Sequence, residues 1–242
     1  DDQLTSLYGS IGNILSSNRL PLEQVSGIVL TGVGAALAQG DIYGIPTSRV
    51  KEFEAIGCGG LLLSGLERAL VVSMGTGTAF VRASGEGSVH IGGSGVGGGT
   101  LLGLSSRLLG EKDIAPIVAL AEKGDLGQVD LSIRDISNAD IPSLPPHVTA
   151  SNFGGMKSTA TKADMALGLC NMVFQTAGML AVFACLDTGE RDIVVTGSMA
   201  TLPQAQPLLD AVGALYDKRF HIPKQAAFAT AIGAASLHGC GR

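Results

Sequence analysis

The sequence predicts an α/β fold whose ligands sit at strand ends. Three observations carry that reading. Hydrophobic strand-like runs alternate with helix-length segments along the chain. Several of those runs pass straight into a glycine turn beside a hydroxyl residue. The 242 residues are 45% hydrophobic and 15% charged, enough apolar matter for a sizeable core. Strands that feed through turns into helices build helix-covered sheets, and ligands gather where the turns converge.

In order, Leu4 to Ser16 has a helical pattern, and "SGIVLTGVG" (Ser26 to Gly34) reads as a buried strand with a glycine turn. Ala55 to Leu66 is a small-residue helix. "ALVVSMGTGTAFVRA" (Ala69 to Ala83) is a strand, a Gly-Thr turn and a returning strand. The glycine run that follows opens a helix over Thr100 to Gly110, and Ile114 to Lys123 is another. Asp125 to Pro146 is a polar, proline-bearing excursion. A long helix comes next, then the strand "DIVVTGSMAT" (Asp192 to Thr201), a helix over Pro203 to Tyr216, and a closing small-residue helix in "AAFATAIGAASLHG". No internal repeat of solenoid or propeller length is present.

Composition removes several function classes. The net charge is -5 and aromatics are 4%, so neither a phosphate-tracking stripe nor a base-stacking platform is expected, and nucleic acid is not an expected partner. Cys58, Cys170, Cys185 and Cys240 are widely spaced, a pattern of reduced thiols in a cytoplasmic protein rather than of a disulfide or zinc framework. Met165 to Leu186 is 22 residues without a charge. Length permits a membrane span, but Asn171, Gln175 and Thr176 interrupt it and no aromatic or basic belt flanks it. A helix buried in a core or subunit interface is the expectation, with no membrane partner. The chain begins Asp1-Asp2 with neither Met nor a signal-peptide pattern, which raises the expectation of a fragment.

"HIGGSGVGGGTLLGL" (His90 to Leu104) places six glycines in the eight positions from Gly92 to Gly99. Glycine loses more backbone entropy on ordering than any other residue, so the run needs a reason. One is that bare amides at a helix start, with the helix dipole behind them, favour phosphate. The segment is not a Walker A loop, because no Lys follows, nor the dinucleotide fingerprint. "MGTGT" (Met74 to Thr78) and "TGSM" (Thr196 to Met199) end two further strands. Three such turns point to a nucleotide held between lobes.

"KEFEA" (Lys51 to Ala55), "MGTGT", "HIGGSGVGGGTLLGL", "TASNFG" (Thr149 to Gly154), "VTGSM" and "AAFATAIGA" occur in the order seen in type II pantothenate kinases. From about Val25 to Leu237 the chain resembles these Fumble-type members of the superfamily that includes actin, sugar kinases and heat-shock chaperones. The resemblance implies an actin-like, ribonuclease-H-related, two-lobed α/β fold, with residues 1–100 expected as the first lobe and 101–242 as the second. It implies a kinase that moves the γ-phosphoryl of ATP, with Mg²⁺, onto the primary hydroxyl of pantothenate, the first step of coenzyme A synthesis. It also implies a homodimer joined through the long helix at about 162–186.

Residue by residue, the resemblance makes Glu52 the catalytic carboxylate that receives the hydroxyl proton, as phosphoryl transfer requires. It places Thr76, Gly98, Gly99, Thr100, Leu101 and Leu102 around ATP, the last five through main-chain amides, with Ile114 on the adenosine side and Ser198 reaching from the other lobe. His90 falls at the substrate end, and Asn152 and Phe153 are expected to line or abut the pantothenate tunnel. Two departures stand out. The family carries Arg where this chain has His90, and an imidazole is neither a permanent cation nor a bidentate fork. The family's opening Asp-x-Gly-Gly-Thr phosphate turn is not found, so about 20 to 40 residues of additional strand are expected outside this chain. Other readings stay open: a sugar-kinase-like enzyme, though no sugar-reading Asn-Asp and Gly-Glu pairs are found; an activator-type ATPase, though the cysteines do not form a cluster set; and a nucleotide-binding pseudokinase.

Overall fold

The computed structural model describes residues 2–137 and 144–239; of the four cysteines, Cys240 lies outside them. Helix α1 (Gln3–Asn18) is followed by two short strands, β1 (Ile28–Leu30) and β2 (Thr47–Arg49), which pair in parallel as a sheet of their own. Helix α2 (Glu52–Ser64) leads into β3 (Arg68–Met74), β4 (Thr78–Ser84) and β5 (Gly87–Ser94). Then come α3 (Gly98–Leu108), α4 (Ile114–Ala121), the small β6 (Leu131–Ser132), α5 (Ile133–Ile136) and β7 (Thr149–Ser151). The long helix α6 (Lys162–Ala184), β8 (Asp192–Thr196), α7 (Ala205–Tyr216), β9 (Arg219–His221) and α8 (Ala229–Gly239) complete the chain.

The main sheet has five strands in the order β5-β4-β3-β8-β9. β3, β4 and β5 are antiparallel neighbours, while β8 and β9 add in parallel on the other side of β3. Residue 100, where the sequence suggests that one lobe gives way to the next, lies in α3, and β8 and β9 from beyond it join the same sheet as β3, β4 and β5. The pairing Leu70 to Ile193 through Ser73 to Thr196 crosses it. The cause is physical: β3 is apolar on both faces and needs a strand on each side and a helix layer above and below.

Alternation along β3 shows the two layers. Leu70, Val72 and Met74 face a core that includes Phe80, Leu101, Ile117, Leu169, Phe174 and Leu209, roofed by α3, α4, α6 and α7. Ala69 and Val71 face the other way, joining Ile56, Val81, Ala83 and Val194 beneath α2. Each fully buried Leu, Val or Phe stabilises the fold by about 1.5–3 kcal/mol relative to exposure, and the two clusters flanking the sheet hold most of the buried apolar side chains.

Helix α2 lies between the sheet and α8, and glycines let it touch both. A Cβ at Gly57 would fall 2.9 Å from Cβ of Ala83, and one at Gly60 would fall 2.6 Å from Cγ2 of Val71. On the opposite side a Cβ at Gly59 would fall 1.8 Å from the carbonyl oxygen of Ala229, and one on Gly233 of α8 would meet the oxygen of Ala55 at 2.0 Å. The helix ends at Gly65, which takes the left-handed conformation (φ 71°).

Helix α6 is long and apolar enough to cross a membrane by length and composition, but most of that stretch is buried within the protein. Thr161 caps it, accepting from the Asp164 amide, while Asp164 accepts from the Thr161 amide and hydroxyl at 2.7 Å each and from the Asp125 amide at 2.8 Å. Those bonds hold the Asp164 carboxyl below the usual carboxylate range, the Thr161 amide contributing most.

Candidate active site

The glycine run turns out to serve backbone-to-backbone packing. The β3–β4 hairpin turns through Gly75, Thr76 and Gly77, and the first turn of α3 lies directly against it. The Gly98 amide donates to the Gly75 carbonyl at 2.8 Å and the Gly99 amide to the Thr76 carbonyl at 2.9 Å. A Cβ at Gly97 would sit 2.7 Å from the Thr76 oxygen, and one at Gly98 2.9 Å from the Gly75 oxygen. From the other side comes the turn after β8. There Gly197 has φ 90°, a Cβ on it would fall 2.3 Å from the Met74 oxygen, and its amide donates to Ala226 at 2.9 Å. Three strand-end turns thus meet in one place, with glycine wherever two backbones touch. Gly92 and Gly95 are different: added Cβ atoms there would meet nothing within 4 Å.

This corrects one expectation. The amides of Gly98 and Gly99 are not bare, because the hairpin turn takes both. Among the described residues, nothing accepts from the amides of Thr76, Gly77 and Thr100. Those three surround the same turn and stand at the start of α3, where the helix dipole adds positive potential. The Thr100 hydroxyl caps the loop, accepting from the Gly97 amide at 3.3 Å and donating to the Gly95 carbonyl at 2.9 Å. Ser198 is exposed at the start of the turn after β8, its carbonyl accepting from the Thr201 hydroxyl at 2.7 Å. Leu101 is fully buried in the core; Leu102 and Ile114 are partly buried and pack against it.

Glu52 opens α2 and is half-buried, and its carboxylate has no hydrogen bond or ion pair among the described residues. Glu54, by contrast, pairs with Lys51 at 3.1 Å. The next residue, Phe53, stacks on His90 of β5, ring centroids 3.8 Å apart and planes 6° from parallel. The His90 ring makes no hydrogen bond to the described residues, so both its nitrogens are open to a ligand. The β4–β5 pairing shifts register beside it, leaving Ile91 unpaired between His90 and Gly92. Arg82, near His90 in sequence, is committed elsewhere: it donates to the Ala184 carbonyl at 2.8 Å and lies 3.7 Å from Glu190.

Asn152 and Phe153 are gathered by a different residue, one the sequence reading did not single out. Asp130, 5% exposed, accepts from the Phe153 amide at 2.9 Å, the Asn171 side chain at 2.7 Å and the Thr149 hydroxyl at 3.2 Å. Asn152 donates to Gln175 at 2.9 Å. Phe153 takes a left-handed backbone (φ 57°) and its ring lies over Gly168 of α6. This network ties the loop after β7 to the middle of the long helix. Asn171, a polar residue in an apolar helix, was the signal that a buried partner existed.

No three His, Cys, Asp or Glu side chains gather into a metal-holding set among the described residues. A cavity of about 1060 Å³ lies away from the glycine turns, along the outer side of α2 and the 84–88 turn, lined by Cys58, Leu62 and Glu86 among others.

The chain is similar in structure to the activator of the 2-hydroxyisocaproyl-CoA dehydratase from Clostridium difficile, with TM-score 0.65 at 13% identity, covering 94% of this chain and 78% of that one. It is also similar to component A of the (R)-2-hydroxyglutaryl-CoA dehydratase of Acidaminococcus fermentans, with TM-score 0.67 at 15% identity over 96% and 84%. The fold is that of the actin-like ATPases. In sequence it is 29% identical over 188 residues to a type II pantothenate kinase of Staphylococcus epidermidis, 73% of this chain and 69% of that protein. It is 31% identical over 175 residues to one of Oceanobacillus iheyensis, 69% of this chain and 63% of that protein. The Fumble family model matches residues 68–216, more than half the chain, and the chain belongs to that family.

Proposed function

We propose that this chain is an ATP-dependent kinase that phosphorylates the primary hydroxyl of pantothenate, the entry step of coenzyme A synthesis. The observation that carries the reading is the joint one of Fumble membership and three converging glycine turns whose Thr76, Gly77 and Thr100 amides have no acceptor among the described residues. Phosphoryl transfer is largely positioning and electrostatics, and amides fixed on rigid turns supply both. In this reading those amides hold the phosphate chain of ATP, with Ser198 contacting the nucleotide and Ile114 beside the adenosine. The acceptor oxygen attacks the γ-phosphorus, the bond to the β-phosphate bridging oxygen breaks, ADP leaves, and Glu52 takes the hydroxyl proton. A half-buried carboxylate with no partner among the described residues suits that task, since it is free to bond to the substrate.

Among the described residues no cluster of His, Cys, Asp or Glu forms a metal cage; in this proposal Mg²⁺ comes as the counter-ion carried by ATP, and no step is routed through it. In the same reading α1, β1 and β2 belong to one lobe and the five-stranded sheet to the other. The protein works in the cytoplasm as a homodimer joined along α6, where Phe183 is 57% exposed and Leu186, just beyond the helix end, is 67% exposed. His90 in place of the family Arg favours a second reading, a nucleotide binder with weak turnover. ADP release with pantothenate separates the two. Glu52→Gln is expected to lower turnover by about two to four orders of magnitude with ATP affinity little changed. Turnover that is undiminished in that variant removes Glu52 as the base; ATP binding without any turnover in the wild-type chain supports the second reading.

A further inference from the structure

The kinase reading leaves Phe53 unassigned, although it sits between the proposed base and the residue that departs from the family pattern. His90 lies on β5, the outermost strand of the sheet, and no hydrogen bond holds its ring. An imidazole on a free edge would sample several rotamers. Here one face lies flat against Phe53, 3.8 Å away and within 6° of parallel, so the ring plane is set by a residue of α2 rather than by its own strand. The Nε2 end lies over Gly93, where a Cβ would be 3.9 Å away. Gly93 is further along β5 toward the turns that gather Thr76, Gly77 and Thr100. A side chain at Gly93 would meet the Thr78 oxygen at 3.1 Å, so the strand is kept bare on that path. Ring nitrogens bond in the ring plane, so a ring flat on Phe53 leaves Nε2 to bond on the Gly93 side, the direction of those turns.

We infer that Phe53 is a positioning residue: it holds the His90 imidazole so that Nε2 bonds to an oxygen of the acceptor or of the transferring phosphoryl group, beside Glu52. The inference rests on the kinase reading. One helix then controls both groups, because Glu52 and Phe53 are consecutive at the start of α2. A single hydrogen bond from a stacked ring replaces the fork that an Arg would present.

A double-mutant cycle on the full chain, reading ADP release with pantothenate, tests this. Phe53 is 36% exposed, so its replacement leaves the core intact. F53L is expected to lower kcat about tenfold with the KM for ATP little changed, and F53Y, which keeps the ring, to restore it. In an H90A background F53L should cost nothing further, because the group it positions is gone. F53M, similar in bulk without a ring, serves as the second variant and is expected to behave as F53L does. Equal losses in both backgrounds, or F53L and F53M at the wild-type rate, overturn the positioning role while the kinase reading stands. A wild-type chain that releases no ADP defeats the kinase reading itself and, with it, this role for Phe53.

Discussion

Replacing Gly98 with Ala should loosen the junction of the three turns, and its size can be worked from the geometry. The added Cβ would lie 2.9 Å from the Gly75 oxygen and 3.2 Å from Sδ of Met199, where ordinary contact begins at 3.4 Å. Relieving the oxygen contact means opening the gap by about half an ångström, which stretches the 2.8 Å bond from the Gly98 amide beyond good hydrogen-bond length. Overpacking of this kind costs about 1–3 kcal/mol, and the weakened bond about 0.5–1.5 kcal/mol. Part is returned because Ala restricts the unfolded chain, by about 0.4–1 kcal/mol. A net loss of about 0.5–4 kcal/mol, centred near 2, follows. The Thr76 and Gly77 amides move with the hairpin, so affinity for a non-hydrolysable ATP analogue should fall about tenfold, the equivalent of 1.4 kcal/mol. Gly95→Ala is the control, since nothing lies within 4 Å of its added Cβ; it should be neutral or slightly stabilising. Urea unfolding and titration calorimetry on both variants supply the readouts. If Gly98→Ala matches Gly95→Ala in both, backbone contact is not what the run provides, and the reasoning is refuted.

Other expectations are more local. Asp130→Ala leaves the Phe153 amide and the Asn171 side chain without their acceptor and should destabilise the chain by about 1–3 kcal/mol, measured by urea unfolding. Asp164 has a lowered folded pKa, so its contribution is present above the unfolded carboxyl pKa and is lost as pH falls through the folded one. Thermal melts from neutral to acidic pH should therefore show a smaller acid-dependent drop in Asp164→Asn than in wild type. Burial pushes the Cys170 thiol up to about 12, so iodoacetamide at pH 8 should leave it unlabelled in the folded chain and label it in urea, read by peptide mass spectrometry.

Much of the fold was legible because its signals are local. The β3–β4 hairpin, α6 and β8 announce themselves by runs such as Leu70 to Met74 and Ile193 to Val195, whose burial follows from hydrophobicity alone. β5 was missed because Gly92 and Gly93 lie within it, and a strand that is mostly glycine at one end has no hydrophobic alternation to display. β9 was missed because three residues carry no period. Strand order was not legible at all: Leu70 finds Ile193 across more than a hundred residues by packing, not by any local sign. At the site, the glycines were conspicuous but their purpose was not. Which amides stay unpaired depends on how Gly75 and Gly98 meet in space, and spacing along a chain does not encode that. The Phe53–His90 stack and the role of Asp130 are likewise products of tertiary contact.

The crossing of α2 over α8 has a consequence for how Glu52 can be moved. Where helices meet through leucine or phenylalanine, a rotamer change lets one ride up on the other and the separation is adjustable. At Gly59 and Gly233 the surfaces in contact are main-chain atoms, and on the sheet side Gly57 and Gly60 admit no spacer either. The carboxylate at the head of α2 is therefore carried on a rod wedged at both flanks. Its reach can change only if the rod swings or slides as a whole, so substitutions at those four glycines should displace Glu52 as surely as substitutions beside it.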